Sequence, residues 1–340
     1  MGCKPSDICY DDCMNETPLK KHRVRKSLGW GSLLLAIAIT VVHWFQFDSL
    51  APVTMIPPWL WLMPGLILLG LSFTQLSRSI LAASLTLWGL FAFLNVEEVH
   101  GLIRWPAYSL EVAALSDRFR VVSLNCNVGN RSAVAELESF QPDIVLLQES
   151  PSLDTLREVA HGFWGESANV AWAGDVSILV NGEFDPVLVD PNRHFSHGVA
   201  TLNDGTRLDV VSLRLSPPVF RIDFLEAGFW NDHRARRIEH RNQLQEIVDY
   251  LVENQVTDNL VVGGDCNMVG GDGGFSPFQH LNDAFKQGGS GWCNTGTSEY
   301  PLFRVDQIWT TANLKCELLQ AFKTRNSDHR MVVADFQIQP

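Results

Sequence analysis

Residues 259–267 read NLVVGGDCN. An apolar, β-branched run of this kind has the composition of a buried strand, yet it ends in Asp265-Cys266-Asn267. Residues two apart on an extended segment project to the same face. Asp265 and Asn267 therefore share one face, and Cys266 turns to the other as a small buried hydrophobe. Four more polar clusters accompany apolar, β-branched runs: Asn125-Cys126-Asn127 after RVVSL, Gln148-Glu149 after PDIVLL, Asp306 within FRVDQIW, and Ser327-Asp328-His329 near the C-terminus. Carboxylates and amides are rarely buried without partners. Strand ends of this composition imply side chains converging on one rim of a sheet, where they can hold a hard cation and a phosphate.

Outward from these clusters, RVVSLN, PDIVLLQE, DVSILV, GVATLN, LDVVSLRL, NLVVGGD, RVDQIWTT and MVVADFQIQ read as strands, with a hairpin turn at Asn203-Asp204-Gly205. SAVAELESF reads as a helix. HRARRIEHRNQLQEIVDYLVEN is the clearest one, with Leu244, Ile247, Val248 and Leu251 as its buried stripe. GGDGGFSPFQH and GGSGW read as loops above the site. Alternating helix and strand predicts an α/β domain, a two-sheet sandwich flanked by helices, over 118–340.

The first third is of a different kind. A polar tail, 1–27, carries Lys20, Lys21, Arg23, Arg25 and Lys26. Apolar runs follow at Leu28–Phe47, Ile56–Leu76 and Ser79–Val96. Each approaches the roughly 20 residues that cross a bilayer, so three transmembrane helices are expected over 28–96, then a juxtamembrane linker over 97–117. Two further runs after the first exclude a cleaved signal peptide. The basic tail and Arg78, set against a first loop without Lys or Arg, place the N-terminus in the cytoplasm. Three spans then put the C-terminal domain outside, on a cell (inner) membrane. Met1-Gly2-Cys3-Lys4-Pro5-Ser6 fits an acylation pattern that has no meaning in a bacterium, and Cys3, Cys9 and Cys13 lack a fourth ligand at zinc-finger spacing.

The formal charge is −12, and the tail is slightly basic, so the acidic excess falls in the C-terminal domain. A duplex-binding protein carries a basic footprint; this domain lacks one overall. That disfavours a general nuclease and favours a small phosphorylated substrate or a lipid head group. The dense basic patch, Arg234, Arg236, Arg237 and Arg241, reads first as a solvated helix face, and otherwise as a contact with anionic lipid or polyphosphate. Phe220, Phe224, Phe229 and Trp230 read first as core, otherwise as an apolar lip towards the membrane.

These clusters, in this order, resemble the endonuclease/exonuclease/phosphatase superfamily, which includes DNase I, apurinic endonucleases, sphingomyelinases and inositol-phosphate phosphatases. The resemblance covers about 118–338 and implies a DNase I-like fold and metal-dependent phosphoester hydrolysis with Mg²⁺ (or Mn²⁺). It implies Glu149 as principal metal ligand, supported by Asn125; Asn127 stands where some relatives carry Asp, and Asp328 is placed near the metal. Asp265 would orient or deprotonate water and Asn267 would donate to a phosphoryl oxygen. Asp306 would hold His329 protonated against the phosphate. Many relatives carry a histidine after a central strand where VVSLRLSPP places Arg214, an invariably charged group suited to clamping phosphate. His194, His197 and His233 are further candidates near the site.

The architecture looks like that of three-span bacterial members of the superfamily, among them teicoplanin-resistance-type proteins implicated in dephosphorylating polyprenyl pyrophosphate carriers. The first reading is therefore a membrane-tethered, Mg²⁺-dependent phosphohydrolase with its site outside the cytoplasm and a phosphorylated substrate, lipid-linked phosphates being among the expected classes. Its rivals are an extracytoplasmic nuclease and a catalytically silent phosphate-binding module.

Overall fold

The computed structural model describes residues 18–104 and 118–339, so the N-terminal cysteines, the acylation pattern and most of the expected linker lie outside the described residues. The chain divides into two units, Met1–Val41 with Trp59–Ala92, and Val42–Pro58 with Phe93–Pro340.

The first unit is helical. Its material comes from α1 (Pro18–Phe45), α3 (Pro58–Ser72) and α4 (Arg78–Asn95); the short α2 (Ala51–Thr54) belongs to the second unit. The Trp88 indole donates to Ser32 Oγ at 3.1 Å, and that hydroxyl donates to the Gly65 carbonyl at 2.8 Å, so these three groups satisfy one another across the helices. Leu34, Ile67, Leu71 and Leu90 point outward and exposed, as lipid-facing side chains do. Among the described residues, Arg23–Phe45 and Arg78–Asn95 are long and apolar enough to cross a membrane. The expected middle span is interrupted: Pro58–Gln75 makes a third crossing only if joined to Asp48–Thr54 across a 72° bend. Pro57 and Pro58 cause the break, since proline lacks the N–H that would continue a helix but suits a first turn.

The second unit is mixed α/β. Its strands are β1 (Arg118–Asn125), β2 (Ile144–Gln148), β3 (Ala168–Ala173), β4 (Val176–Leu188), β5 (Phe195–Leu202), β6 (Arg207–Arg214), β7 (Leu260–Asp265), β8 (Asn282–Asp283), β9 (Asp306–Thr310), β10 (Leu314–Phe322) and β11 (Met331–Ile338). Its remaining helices are α5 (Glu97–Arg104), α6 (Arg131–Ala135), α7 (Leu153–Trp164), α8 (Ala227–Glu253) and α9 (Ala284–Gly288).

Every strand read from sequence is present; β3, β8, β10, α7 and α9 are additions. The predicted helix over SAVAELESF is α6 followed by a 3₁₀ segment, Glu136–Phe140. The strands do not form two separate sheets. Hydrogen bonds join them in the order β10-β11-β1-β2-β4-β5-β6-β7-β9-β8, with β3 beside β4.

The link is β4. Its first half pairs with β2 and β3, and its second half, beyond Gly182, pairs with β5. Gly182 has φ +147°, and a Cβ there would lie 2.3 Å from the Thr201 carbonyl oxygen, so the crossing requires glycine. The sheet curls on itself, because one core cluster joins Val121, Ile144, Leu146 and Ile178 from one half to Val210, Val261 and Ile308 from the other. Outside it, α6 and α7 cover β1 and β2, while Leu244, Ile247 and Leu251 of α8 cover β6 and β7.

Two buried ion clusters fasten the periphery of this unit. Arg304 pairs with Asp283 at 2.7 Å and with Glu97 at 2.6 Å, so the expected linker begins as a helix tied to the domain. Arg237 pairs with Asp272 at 2.6 Å, bonds the Thr54 hydroxyl and donates to the Gln46 and Phe47 carbonyls; Arg241 pairs with Asp48 at 2.7 Å. Arg236 pairs with Glu239 at 3.3 Å. The basic patch is therefore not a free cationic face: two of its arginines hold the segment that follows α1.

Candidate active site

The polar clusters occupy neighbouring strand ends. Asn125 ends β1 in register with Gln148 of β2, Arg214 ends β6 beside Asp265 of β7, and Asp265 lies opposite Asp306 of β9. Gly264 allows the middle pairing: at φ +148°, a Cβ would fall 1.9 Å from the Leu213 carbonyl oxygen. Immediately past the strands the backbone turns left-handed at Asn127, Val128, Glu149 and Asn267. Such conformations are costly for non-glycine residues and persist only where surroundings enforce them. Here the enforcing contacts are Asn127 N–H to Asn125 Oδ1 at 3.0 Å, Val128 N–H to Glu149 Oε2 at 2.7 Å, and Asn267 N–H to Asp265 Oδ1 at 2.9 Å.

Asp265, Asp306 and His329 converge, with one ligand-type atom from each within 4.8 Å of the others. His329 Nδ1 bonds Asp306 Oδ2 at 2.8 Å, which fixes the orientation of the ring. Burial alone would disfavour the imidazolium, but the Asp306 charge and hydrogen bond outweigh it, with Asp265 and Asp328 adding to them, and raise His329 to about 10. Burial first, and then the Asp306 charge, pushes the Asp265 carboxyl up to about 6.

Glu149 accepts from Arg214 at 2.6 Å and from the Asn125 amide at 3.2 Å. Burial opposes its ionisation, yet the Val128, Asn125 and Arg214 interactions prevail and hold it below the usual range. Arg214 also pairs with Asp175 at 2.9 Å, and its Nε lies 4.0 Å from Asp265 Oδ2. Sequence reading missed Asp175, whose only sign is a Gly174-Asp175 turn opening β4.

Several expected placements differ in detail. Both amide hydrogens of Asn267 are engaged, by the Leu215 carbonyl at 2.9 Å and Asp265 Oδ2 at 3.2 Å, so its side chain positions Asp265 instead of facing a phosphoryl oxygen. Asn125 likewise aims its amide hydrogens at Glu149 and Asp265, the latter at 3.1 Å, and turns its oxygen to the Asn127 N–H. It supports the carboxylates and is not placed as a ligand. The Asn127 and Asp328 side chains are exposed, and neither belongs to the converging trio. His197 is buried between Asp209 and Tyr250, His194 bonds the Gln243 carbonyl, and His233 packs on Phe229, so none of the three joins the cluster.

The donor set suits a hard divalent cation. Glu149 offers a partly exposed carboxylate, Asp265 a second carboxylate beside it, and Asp306 Oδ1 is buried with no hydrogen-bond partner. A cavity of about 430 Å³ lined by His43, Gln46, Thr54, Glu97, His100 and Lys286 contains none of these groups, and its lack of converging carboxylates excludes it as the reaction centre.

Cys126 and Cys266 are free, buried members of two apolar clusters, as their positions between polar residues implied. Cys293 and Cys316 are also free and buried.

Among solved structures, the chain is similar to an endonuclease/exonuclease/phosphatase family protein from Bacteroides thetaiotaomicron, with TM-score 0.52 and 12% identity over 66% of this chain and 98% of that one. It is also similar to one from Bacteroides vulgatus, at TM-score 0.49 and 12% identity over 65% and 99%. A humanized TDP2 from D. rerio follows at TM-score 0.47 and 15% identity over 65% and 99%. No curated protein matches the chain at a significant level. Residues 122–329 match the Endonuclease/Exonuclease/phosphatase family, a stretch that begins in β1 and ends on His329. The chain belongs to the endonuclease/exonuclease/phosphatase family.

Proposed function

We propose that this chain is a membrane-tethered, metal-dependent phosphohydrolase whose site faces outside the cytoplasm and which cleaves a phosphoester or pyrophosphate, with lipid-linked phosphates as the favoured substrates. The observation that carries the reading is the juxtaposition of Asp265, Asp306 and His329 with the Glu149–Arg214 pair on adjacent strand ends. Phosphoester hydrolysis needs positive charge on the phosphoryl oxygens, an oriented water and help for the leaving oxygen.

The residues divide these tasks. Glu149 would hold an Mg²⁺ or Mn²⁺ ion, which would supply positive charge to the phosphoryl oxygens. Asp265 is buried, raised to about 6 and gripped by Asn125 and Asn267, which makes it the base that orients water and takes its proton near neutral pH. His329, held charged by Asp306, presents Nε2 to a phosphoryl oxygen. Arg214, anchored on Asp175, grips another in place of the histidine that many relatives carry. The acidic balance of the domain and the internal pairing of Arg237 and Arg241 leave little basic surface for a nucleic-acid backbone.

The test is a phosphate-release screen of the full chain in detergent with Mg²⁺ and with Mn²⁺, over lipid phosphates and pyrophosphates, nucleotides and plasmid DNA. Release from a lipid-linked phosphate supports the reading. Metal-dependent cutting of the plasmid without phosphate release replaces it with the nuclease reading.

A further inference from the structure

The segment from Ser216 to Glu226, SPPVFRIDFLE, joins β6 to α8 and has an unusual surface. Phe220 is 89% exposed, Ile222 91%, Leu225 87% and Phe224 63%. The alternative that these side chains are core is excluded by those values. Contiguous apolar exposure on this scale marks a place where a soluble surface is completed by something else.

The charged residues in the same segment are turned to one another. Arg221 pairs with Asp223 and, at 2.6 Å, with Asp232, while the Trp230 indole donates to the Phe224 carbonyl at 2.9 Å. The stretch Val219–Leu225 is thus a braced ledge whose apolar side chains point out and whose own two charges, Arg221 and Asp223, are paired, with the exposed Glu226 carboxylate at its foot. Pro217 and Pro218 stiffen its start.

Its two ends tie it to the site and to the segment that follows α1 within the same unit. At the root, the Leu215 carbonyl accepts from Asn267, and Ser216 bonds Glu239 and, through its carbonyl, His240 at 2.7 Å. Arg214 is therefore the residue from which the ledge departs. At the other end, the ledge runs into α8, and α8 carries Arg237 and Arg241, which hold Gln46, Phe47, Asp48 and Thr54. Those residues leave the candidate span Arg23–Phe45. From Ala227 to Arg237 along a helix is about 15 Å at 1.5 Å per residue. One rigid element thus joins an apolar ledge to the chain's exit from the bilayer.

We infer that the Val219–Leu225 ledge dips into the outer surface of the bilayer and sets the active site at head-group level, so that the substrate is a phosphate borne on a membrane lipid. The inference deepens the proposed function and rests on its membrane tether, but its occupant is the lipid surface whether or not hydrolysis is found. Apolar side chains alternating with a paired Arg221 and Asp223 suit an interface, since the apolar tips enter the lipid while the unpaired Glu226 stays at the polar head-group side. The lipid tail stays in the bilayer while its phosphate reaches Arg214 and Glu149.

The test reads depth directly and needs no turnover. In a full-length background with Cys3, Cys9 and Cys13→Ser, single variants Phe220→Cys, Ile222→Cys, Leu225→Cys and, as a reference at the far end of α8, Glu253→Cys are spin-labelled. Each is reconstituted at one chain per phosphatidylcholine nanodisc. At the three ledge positions, apolar dissolved oxygen should relax the nitroxide more than a water-soluble nickel chelate does, and at 253 the order should reverse. If nickel prevails at all three, the ledge lies in water and the inference fails. If both reagents are excluded, protein covers the ledge, as in a second copy of the chain, and the inference fails equally. Circular dichroism of each labelled chain against the unlabelled background confirms that it is folded before the comparison is made. A lipid-inserted ledge with no phosphate release would uphold the ledge and overturn the hydrolase reading.

Discussion

At the residue scale, the proposed metal dependence turns on Glu149. Its carboxylate sits at the sheet rim outside the apolar clusters, so Glu149→Gln should leave unfolding little changed while removing the charge that holds the cation. Turnover should fall below about a tenth of wild type, a loss exceeding about 1.4 kcal/mol in the barrier; activity above that level would rule out Glu149 as principal ligand.

Asp306 and His329 share a 2.8 Å hydrogen bond, and the proposed function makes them one group. Asp306→Asn and His329→Ala should each be severely impaired, and the double variant little worse than the histidine single variant. His329 stands at about 10 against an ordinary 6.5, so its ion pair is present in full below about pH 6.5 and is lost as pH rises through about 10. Asp306→Asn removes the charge that raises it, and the alkaline limb of the pH–rate profile should move down. Multiplicative losses with an unmoved limb would dissolve the pair. Arg214 is subtler: Asp175→Asn should raise KM for the phosphorylated substrate several-fold more than it lowers kcat, because Asp175 orients the clamp and touches no reacting atom.

At the element scale, α8 does two jobs. One face packs Leu244, Ile247 and Leu251 onto the sheet, and its N-terminal half presents buried Arg237 to Asp272 and to the segment after α1. Removing one member of a buried ion pair leaves the other uncompensated, at a cost of about 3–5 kcal/mol. Arg237→Ala should therefore lower the denaturation midpoint sharply, whereas exposed Arg234→Ala should change stability by less than about 0.5 kcal/mol. Equal effects in thermal unfolding would mean that Arg237 is not a clamp. Strand β4 is the other element with two jobs, carrying one chain of hydrogen bonds from β2 to β5 through Gly182.

At the scale of the whole molecule, topology decides function. The basic tail and Arg78 fix the cytoplasmic side only if the number of crossings is odd, and the interrupted segment Asp48–Gln75 decides that number. A periplasmic-type reporter such as alkaline phosphatase fused after Pro340 should be active, and a fluorescent protein that folds only in the cytoplasm should stay dark. The reverse pattern would show two crossings, place the catalytic unit inside, and remove the outward-facing lipid reading.

Much of this was legible without coordinates, and the reason is local. The apolar runs of β1, β2, β6, β7, β9 and β11 are buried on both faces, so composition alone marks them, and Asp265, Asp306 and His329 stand out because polar groups are unexpected there. β10 and the far half of β4 are only partly buried and mix charged with apolar residues, so they carry no such mark. Partners across the chain were legible only where the family resemblance supplied them, as for Asp306 with His329 and Asn125 with Glu149. That Arg214 leans on Asp175, that Asn125 spends an amide hydrogen on Asp265 and Asn267 one on the Leu215 carbonyl, and that Arg237 is a buried clamp depend on pairings over tens to hundreds of residues. Sequence by itself determined the strand ends and the chemistry available at them, because burial selects residue types one position at a time. Tertiary structure alone decided which polar groups meet and which stay bare, including the exposed ledge at Phe220 and Ile222, because a hydrogen bond is used up by whichever partner the fold brings within reach.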